Sequence, residues 1–272
     1  MESSRRSLSL EARPPGSEGD RGRDRAAALS QELAPLDLTE LLRRVDALFS
    51  DRLAAGSSFG KEGLVVLDHL RRVRRDVPVL FLETGYHFPE TLHFRDRLIA
   101  EWGLHVVNLH AEQSVAEQDQ EFGKDLFARD PDTCCQRRKV APLRRALLSY
   151  DAWLTGLRRD QHEGRRETPL VEWQELEPGG RGVFKINPLV LWSRAEVERY
   201  LTEHQLPRHP LWDQGYGSIG CAPCTRKIRP GEHERAGRWA GFEKRECGIH
   251  LMGKPPPPDP APGPAPSSAP TP

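Results

Sequence analysis

The sequence predicts an α/β fold with a mostly parallel sheet, and three observations carry that reading. Short strand-like runs at Val77–Leu82, Leu104–Leu109, Ala152–Thr155 and Val183–Ile186 alternate with stretches of helical spacing. Polar turns containing Gly, Ser or Thr follow the first two strand ends, where open α/β sheets bind ligands. No stretch approaches the ~20 apolar residues of a membrane span.

In chain order, residues 1–34 are rich in Arg, Gly, Ser, Pro and Glu and are expected to be mostly disordered, with a helix beginning near Arg25. Leu38–Leu53 has amphipathic helical spacing. Leu53–Phe59 is a strand of small residues leading into a Gly/Ser turn. Lys61–Arg72 is helical, with Leu64, Leu67, Asp68 and Leu70 on one face. Val77–Leu82 is apolar throughout, as a buried parallel strand should be. Pro89 suits the first turn of a helix running to Trp102. Ser193 and Glu196 form a capping box that opens a helix to about His204. Ten of the last 18 residues are proline, so residues 253–272 are expected to form a polyproline-type disordered tail. The functional domain is thus expected within residues 35–252.

The 272 residues hold 40 Lys+Arg and 40 Asp+Glu, so no global charge favours nucleic acid or a membrane surface. The N-terminus lacks the apolar run of a signal peptide, and a cytoplasmic location is expected. Five cysteines is an odd number, and they are not spread as a disulfide framework would be. Two are adjacent (Cys134, Cys135), two form a C-x-x-C (Cys221, Cys224), and Cys247 stands alone. In a reducing compartment this is four ligands and one working thiol. Adjacent cysteines sit awkwardly on one tetrahedral zinc, whereas a cubane cluster gives each thiolate its own iron. The spacing therefore favours [4Fe–4S] over zinc.

Ser57-Ser58-Phe59-Gly60-Lys61-Glu62-Gly63 joins a strand to a helix and offers free N–H groups to an anion. It is not a Walker A loop, because the spacing is one residue short and Glu62 follows the lysine. Glu83-Thr84-Gly85 ends the next strand. Lys139 lies four residues after Cys135 and shares its face if the segment is helical. Cys247 has basic neighbours, which raise its thiolate fraction, and Gly248 gives its segment freedom to move. Arg158, Arg159, Arg235 and Arg238 complete a set of cations suited to one polyanionic ligand.

With these motifs the chain resembles the assimilatory adenylyl-sulfate (APS) reductases. The resemblance runs over most of residues 50–252. It is carried by Ser57–Gly60, Glu83–Gly85 with Phe88-Pro89-Glu90-Thr91, the Cys134-Cys135 doublet with Arg138-Lys139, Thr155–Gln161, Lys185–Leu189, the Cys221/Cys224 pair, Gly231–Trp239, and Glu246-Cys247-Gly248-Ile249-His250-Leu251. It implies a Rossmann-like adenine-nucleotide α-hydrolase fold and adenosine 5′-phosphosulfate as substrate. It implies that Cys247 attacks the sulfur, and that thioredoxin or a similar dithiol frees sulfite. It also implies one [4Fe–4S] cluster on Cys134, Cys135, Cys221 and Cys224, with Lys139, Arg235 and His250 near the sulfate. Ser57–Gly60 and Arg158/Arg159 would hold the nucleotide. The chain departs from the family with Lys61 where alanine is common and Glu83 where aspartate is common. Three alternatives remain: the 3′-phosphorylated nucleotide PAPS as substrate, with Lys61 a spare cation for it; a tRNA-thiolating ATP pyrophosphatase; and a zinc-stabilised binding module. The Lys-Glu-Gly at 61–63 argues against the pyrophosphatase.

Overall fold

A computed structural model describes residues 17–177, 180–244 and 246–252. The chain opens with two helices, α1 (Glu18–Leu33) and α2 (Leu38–Phe49), each started by a side-chain cap, Ser17 on the Asp20 N–H and Asp37 on the Glu40 N–H. Alternation then begins: β1 (Leu53–Gly56), α3 (Lys61–Val73), β2 (Val79–Glu83), α4 (Pro89–Trp102) and β3 (Val106–His110). Pro89 occupies the first turn of α4, and Gly103 closes it at φ +63°. Short helices α5 (Val115–Phe122), α6 (Leu126–Arg129), α7 (Pro131–Cys135) and α8 (Ala141–Leu147) lead to β4 (Ala152–Leu154). β5 (Val171–Glu175), β6 (Gly182–Ile186) and α9 (Arg194–Glu203) follow, the last with the expected Ser193/Glu196 capping box.

The six strands are ordered β3-β2-β1-β4-β6-β5. All neighbours are parallel except β5, which pairs antiparallel with β6 as an edge strand. The winding reverses between β1 and β4, so the crevice at their carboxyl ends is where this architecture binds ligands. One core cluster packs α1, α2, α3 and α9 against one sheet face, including Leu42, Leu53, Leu64, Phe81, Leu154 and Ile186. A smaller cluster joins Ala54, Leu80, Leu143, Trp153, Val183 and Met252 on the other face. The C-terminal segment is thereby tied into the fold.

Two expectations need correction here. The N-terminal disorder expected for residues 1–34 does not hold from Glu18 onward. Leu29 and Leu33 of α1 are buried in the main core, and Ser30 Oγ bonds both the N–H and the C=O of Val171 on β5. The low overall hydropathy hid a helix that needs only Ala26, Leu29 and Leu33 as its apolar stripe. The antiparallel strand β5 was not foreseen at all. Its sequence, Val-Glu-Trp-Gln-Glu, carries few of the apolar residues that mark a buried strand. Residues 1–16 and the expected proline-rich tail lie outside the described residues.

Candidate active site

β1 ends at Gly56, and its chain turns through Ser57–Gly60 into the N-terminus of α3. The Ser57 N–H donates to Leu80 O at 3.2 Å, and Ser57 Oγ accepts the Phe59 N–H at 3.0 Å. Phe59 adopts φ +56°, which few non-glycine residues tolerate. Its fully buried ring packs 5.7 Å from that of Phe81, and this holds the turn. Phe59 therefore supports the turn from inside the core, contrary to the expectation that it contacts a ligand. The turn after β4 comes so close that a Cβ on Gly156 would lie 2.8 Å from Glu62 Cβ and 3.0 Å from Gly63 N. Glycine is required there by the approach of two backbones.

These turns open on a cavity of about 240 Å³. Its wall includes Ser57, Ser58, Gly60, Thr84, Lys139, Arg235, Arg238, Cys247 and His250 from the sequence-derived set. Five Lys or Arg residues (Lys61, Lys139, Arg165, Arg235, Arg238) face it against three glutamates (Glu62, Glu234, Glu246). Arg238 Nε, Trp239 Nε1 and His250 Nδ1 are buried in that wall without hydrogen-bond partners among the described residues. Buried polar atoms are rarely left so, and a polar group in the cavity could satisfy them. Burial also holds the His250 imidazole well below its ordinary pKa, so the ring is neutral.

Cys247 is buried. The Cys135 thiol donates a hydrogen bond to it, and with the Lys139 ammonium this lowers the Cys247 pKa to about 5 despite burial. The same contact, with burial, pushes the Cys135 thiol up. Lys139 is buried too. Desolvation alone would neutralise it, but the facing Cys221, Cys247 and Cys135 sulfurs keep it charged. The face-sharing of Cys135 and Lys139 arises differently from expectation. Gln136–Val140 is a π-turn inserted between α7 and α8, a local widening frequent at functional sites.

The four other cysteines converge. Cys134, Cys135, Cys221 and Cys224 line one small void with Arg138, Lys139 and Tyr86. All are free thiols. Burial raises the pKa of Cys134 to about 11. Thr84 Oγ1 lies 3.4 Å from Cys221 Sγ. The C-x-x-C turn is pinned by Ala222 N to Tyr86 O (2.7 Å) and by Trp239 N to Cys224 O (3.0 Å). Among the described residues, no three His, Cys, Asp or Glu side chains are grouped to hold a single metal ion. Four thiols around one void, with Arg138 and Lys139 beside it, are a donor set that suits either a structural zinc or an iron–sulfur cluster.

The remaining members of the sequence-derived set do not reach the cavity wall. Arg158 is fully buried and pairs with Glu62 (3.0 Å), Glu234 (2.9 Å) and Asp160. It ties Glu62 and Glu234 of the wall together, with Nε, Nη1 and Nη2 each engaged by a carboxylate. Arg159 donates to Thr168 O at 2.8 Å and lines a separate surface hollow with His162 and His233. Glu83 accepts the Gly85 N–H at 3.0 Å and pairs with Arg95 at 3.3 Å, and Gly85 is exposed. The arginine of this loop that does face the cavity is Arg165, which sequence reasoning missed. Its partner Glu246, the residue before Cys247, was seen only as part of a motif. Trp153, on β4, also lines the cavity. Only the alternation of strand side chains could have pointed to Trp153, and nothing local separates Arg165 from Arg158.

No helix among the described residues is long and apolar enough to cross a membrane. The phosphoadenosine phosphosulfate reductase domain model matches residues 52–227. An adenosine 5′-phosphosulfate reductase of Streptomyces coelicolor is 48% identical over 83% of this chain and 93% of its own length. The enzyme of that name from Mycolicibacterium smegmatis is 44% identical, over 84% and 94%. Among solved structures, the phosphoadenylyl-sulfate reductase of Candida auris superposes with a TM-score of 0.63 at 29% identity, covering 74% of this chain and 95% of that one. An FMN adenylyltransferase of Candida glabrata, at 15% identity and a TM-score of 0.51, shares the fold. The match of the family model over most of the chain, together with relatives this similar over nearly their whole length, shows that the chain belongs to the phosphoadenosine phosphosulfate reductase domain family.

Proposed function

We propose that this chain is a cytoplasmic adenosine 5′-phosphosulfate reductase of sulfate assimilation, releasing sulfite and AMP through an S-sulfocysteine on Cys247. The observation that carries the reading is the buried Cys247 thiol at the wall of a cationic cavity in which Arg238 Nε, Trp239 Nε1 and His250 Nδ1 have no hydrogen-bond partner among the described residues. The curated relatives named for this activity support the choice of substrate.

The Ser57–Gly60 turn presents the N-terminus of α3 to the nucleotide phosphate. Lys139, Arg235 and Arg238 surround the sulfate and stabilise negative charge as it moves to the bridging oxygen. The Cys247 thiolate attacks sulfur. The bond between sulfur and the bridging oxygen breaks, its electron pair leaves on AMP, and the sulfonate stays on Cys247. A dithiol such as thioredoxin then attacks Cys247 Sγ, sulfite departs with the S–S electron pair, and the second thiol resolves the mixed disulfide.

Cys134, Cys135, Cys221 and Cys224 would hold one [4Fe–4S] cluster. It would supply structural tethering and a fixed negative charge opposite Lys139, with no electron transfer asked of it. Lys139 then stands between that charge and the substrate anion.

The test is to incubate anaerobically purified protein with the nucleotide, omit reductant, and map its mass. One SO₃ group on the Cys247 peptide is expected. No adduct from a protein carrying iron and sulfide, with PAPS tried as well, would sink the mechanism.

A further inference from the structure

Cys247 is buried, yet the second half of the proposed reaction needs a protein dithiol to reach it. Its segment must undock between the two steps. The charged contacts that hold the segment down are made by the residue before it. Glu246 receives a two-pronged contact from Arg165, Nε to Oε2 at 2.5 Å and Nη2 to Oε1 at 2.7 Å. His162 Nε2 lies 2.9 Å from Oε2, and Arg235 stands 3.7 Å away. The carboxylate is 11% exposed and Arg165 6%. Beyond Cys247 the contacts are weaker: Gln174 Nε2 to Ile249 O at 3.2 Å and apolar packing of Ile249 and Met252. Forked arginine–carboxylate pairs are the strong, geometrically specific members of their class.

We propose that Glu246 is a latch: its contacts with Arg165, His162 and Arg235 hold the Cys247 segment in the cavity, and their release exposes the sulfur to the reductant. Glu246 is a positioning residue, because it acts on the chemistry only by placing Cys247. The site that receives it is also an anion receptor, so the latch fills a cationic subsite whenever the segment is docked. This inference deepens the reading of Cys247 as the nucleophile and rests on that reading for its meaning. Its geometry does not depend on which nucleotide binds.

The experiment is accordingly done without nucleotide. The full chain, kept anaerobic, is treated with iodoacetamide at a pH where the thiol is ionised, and alkylation of the Cys247 peptide is followed by mass. Relative to the unaltered chain, Glu246→Gln is expected to speed alkylation by roughly tenfold or more, as loss of a largely buried charge pair implies. Arg165→Lys, which keeps the charge and loses the fork, is expected to do the same to a smaller extent. The double variant should be no faster than Glu246→Gln alone, since both act on one contact. Hydrogen exchange of residues 246–252 should rise in step while the sheet strands keep their protection, which a general loosening of the fold would not reproduce. Equal alkylation rates in all chains would overturn the latch, as would additive effects in the double variant. If the nucleotide adduct never forms but alkylation responds as described, the latch stands and the substrate assignment fails.

Discussion

Lys61, at the first turn of α3, is ion-paired with Glu198 of α9, and its ammonium lies 5.3 Å from the ring centroid of Trp212. The lysine is therefore not the spare cation that the sequence suggested. Its charge is already answered by Glu198. Glu198→Gln should free the cation and raise kcat/KM for PAPS relative to APS by roughly fivefold, the scale of a partly exposed ion pair. The two nucleotides compared on both enzymes check this. An unchanged ratio would mean that Lys61 does not discriminate between them.

Lys139→Met should slow formation of the Cys247 adduct by roughly a hundredfold, as loss of one preorganised charge at a developing oxyanion does. Single-turnover mass measurements at saturating nucleotide give the rate directly. A rise in KM with kcat intact would instead show that Lys139 binds ground state and transition state alike.

Arg158 offers a sharp contrast with the cations of the cavity. Arg158→Ala should lower unfolding stability by about 3–5 kcal/mol, because it leaves the buried Glu234 without its closest cation. Urea denaturation measures this. Any folded fraction should retain a near-normal KM, whereas a direct nucleotide contact would show the reverse pattern.

Stability should also depend on pH through His209, which is 1% exposed. Leu211 N–H donates to its Nδ1 at 3.2 Å, and its Nε2 faces Thr91 Oγ1 at 3.1 Å. The fold thus uses the neutral ring, and burial lowers its pKa from 6.5 to about 4. The unfolded chain takes up the proton first as pH falls. This contribution is fully present above the unfolded value of 6.5, drains away between 6.5 and about 4, and changes no further below that. Urea midpoints on either side of the window should differ less in His209→Gln than in the unaltered chain.

Local patterns carried most of the fold. The Ser193 cap, Pro89 and the runs that became β2 and β6 each state their structure within a few residues. Residue type and spacing alone singled out the five cysteines and Lys139, which the structure brings to adjoining hollows, while His250 was reached only through the resemblance. The site was not legible where the role depends on a distant partner. Arg158 and Arg165 lie in one loop, but Arg158 meets Glu62 and Glu234 while Arg165 meets Glu246. No feature of the loop itself separates them. The π-turn at Gln136–Val140 escaped notice for a related reason. Its residues have ordinary helical propensity, and only the surrounding packing makes the turn wide.

The first helix lies along the outer strand of the sheet with its small residues facing Trp173. A Cβ on Gly22 would come within 2.3 Å of that indole, as would one on Gly182 from β6. The indole is clasped between two glycines, and α1 covers the strand that carries it. Shortening the chain to residue 35, a natural way to tidy an expression clone, would strip this shield and bare an unpaired strand edge beside a large aromatic. Such a clone should precipitate or self-associate with every functional residue intact, and its failure would say nothing about catalysis.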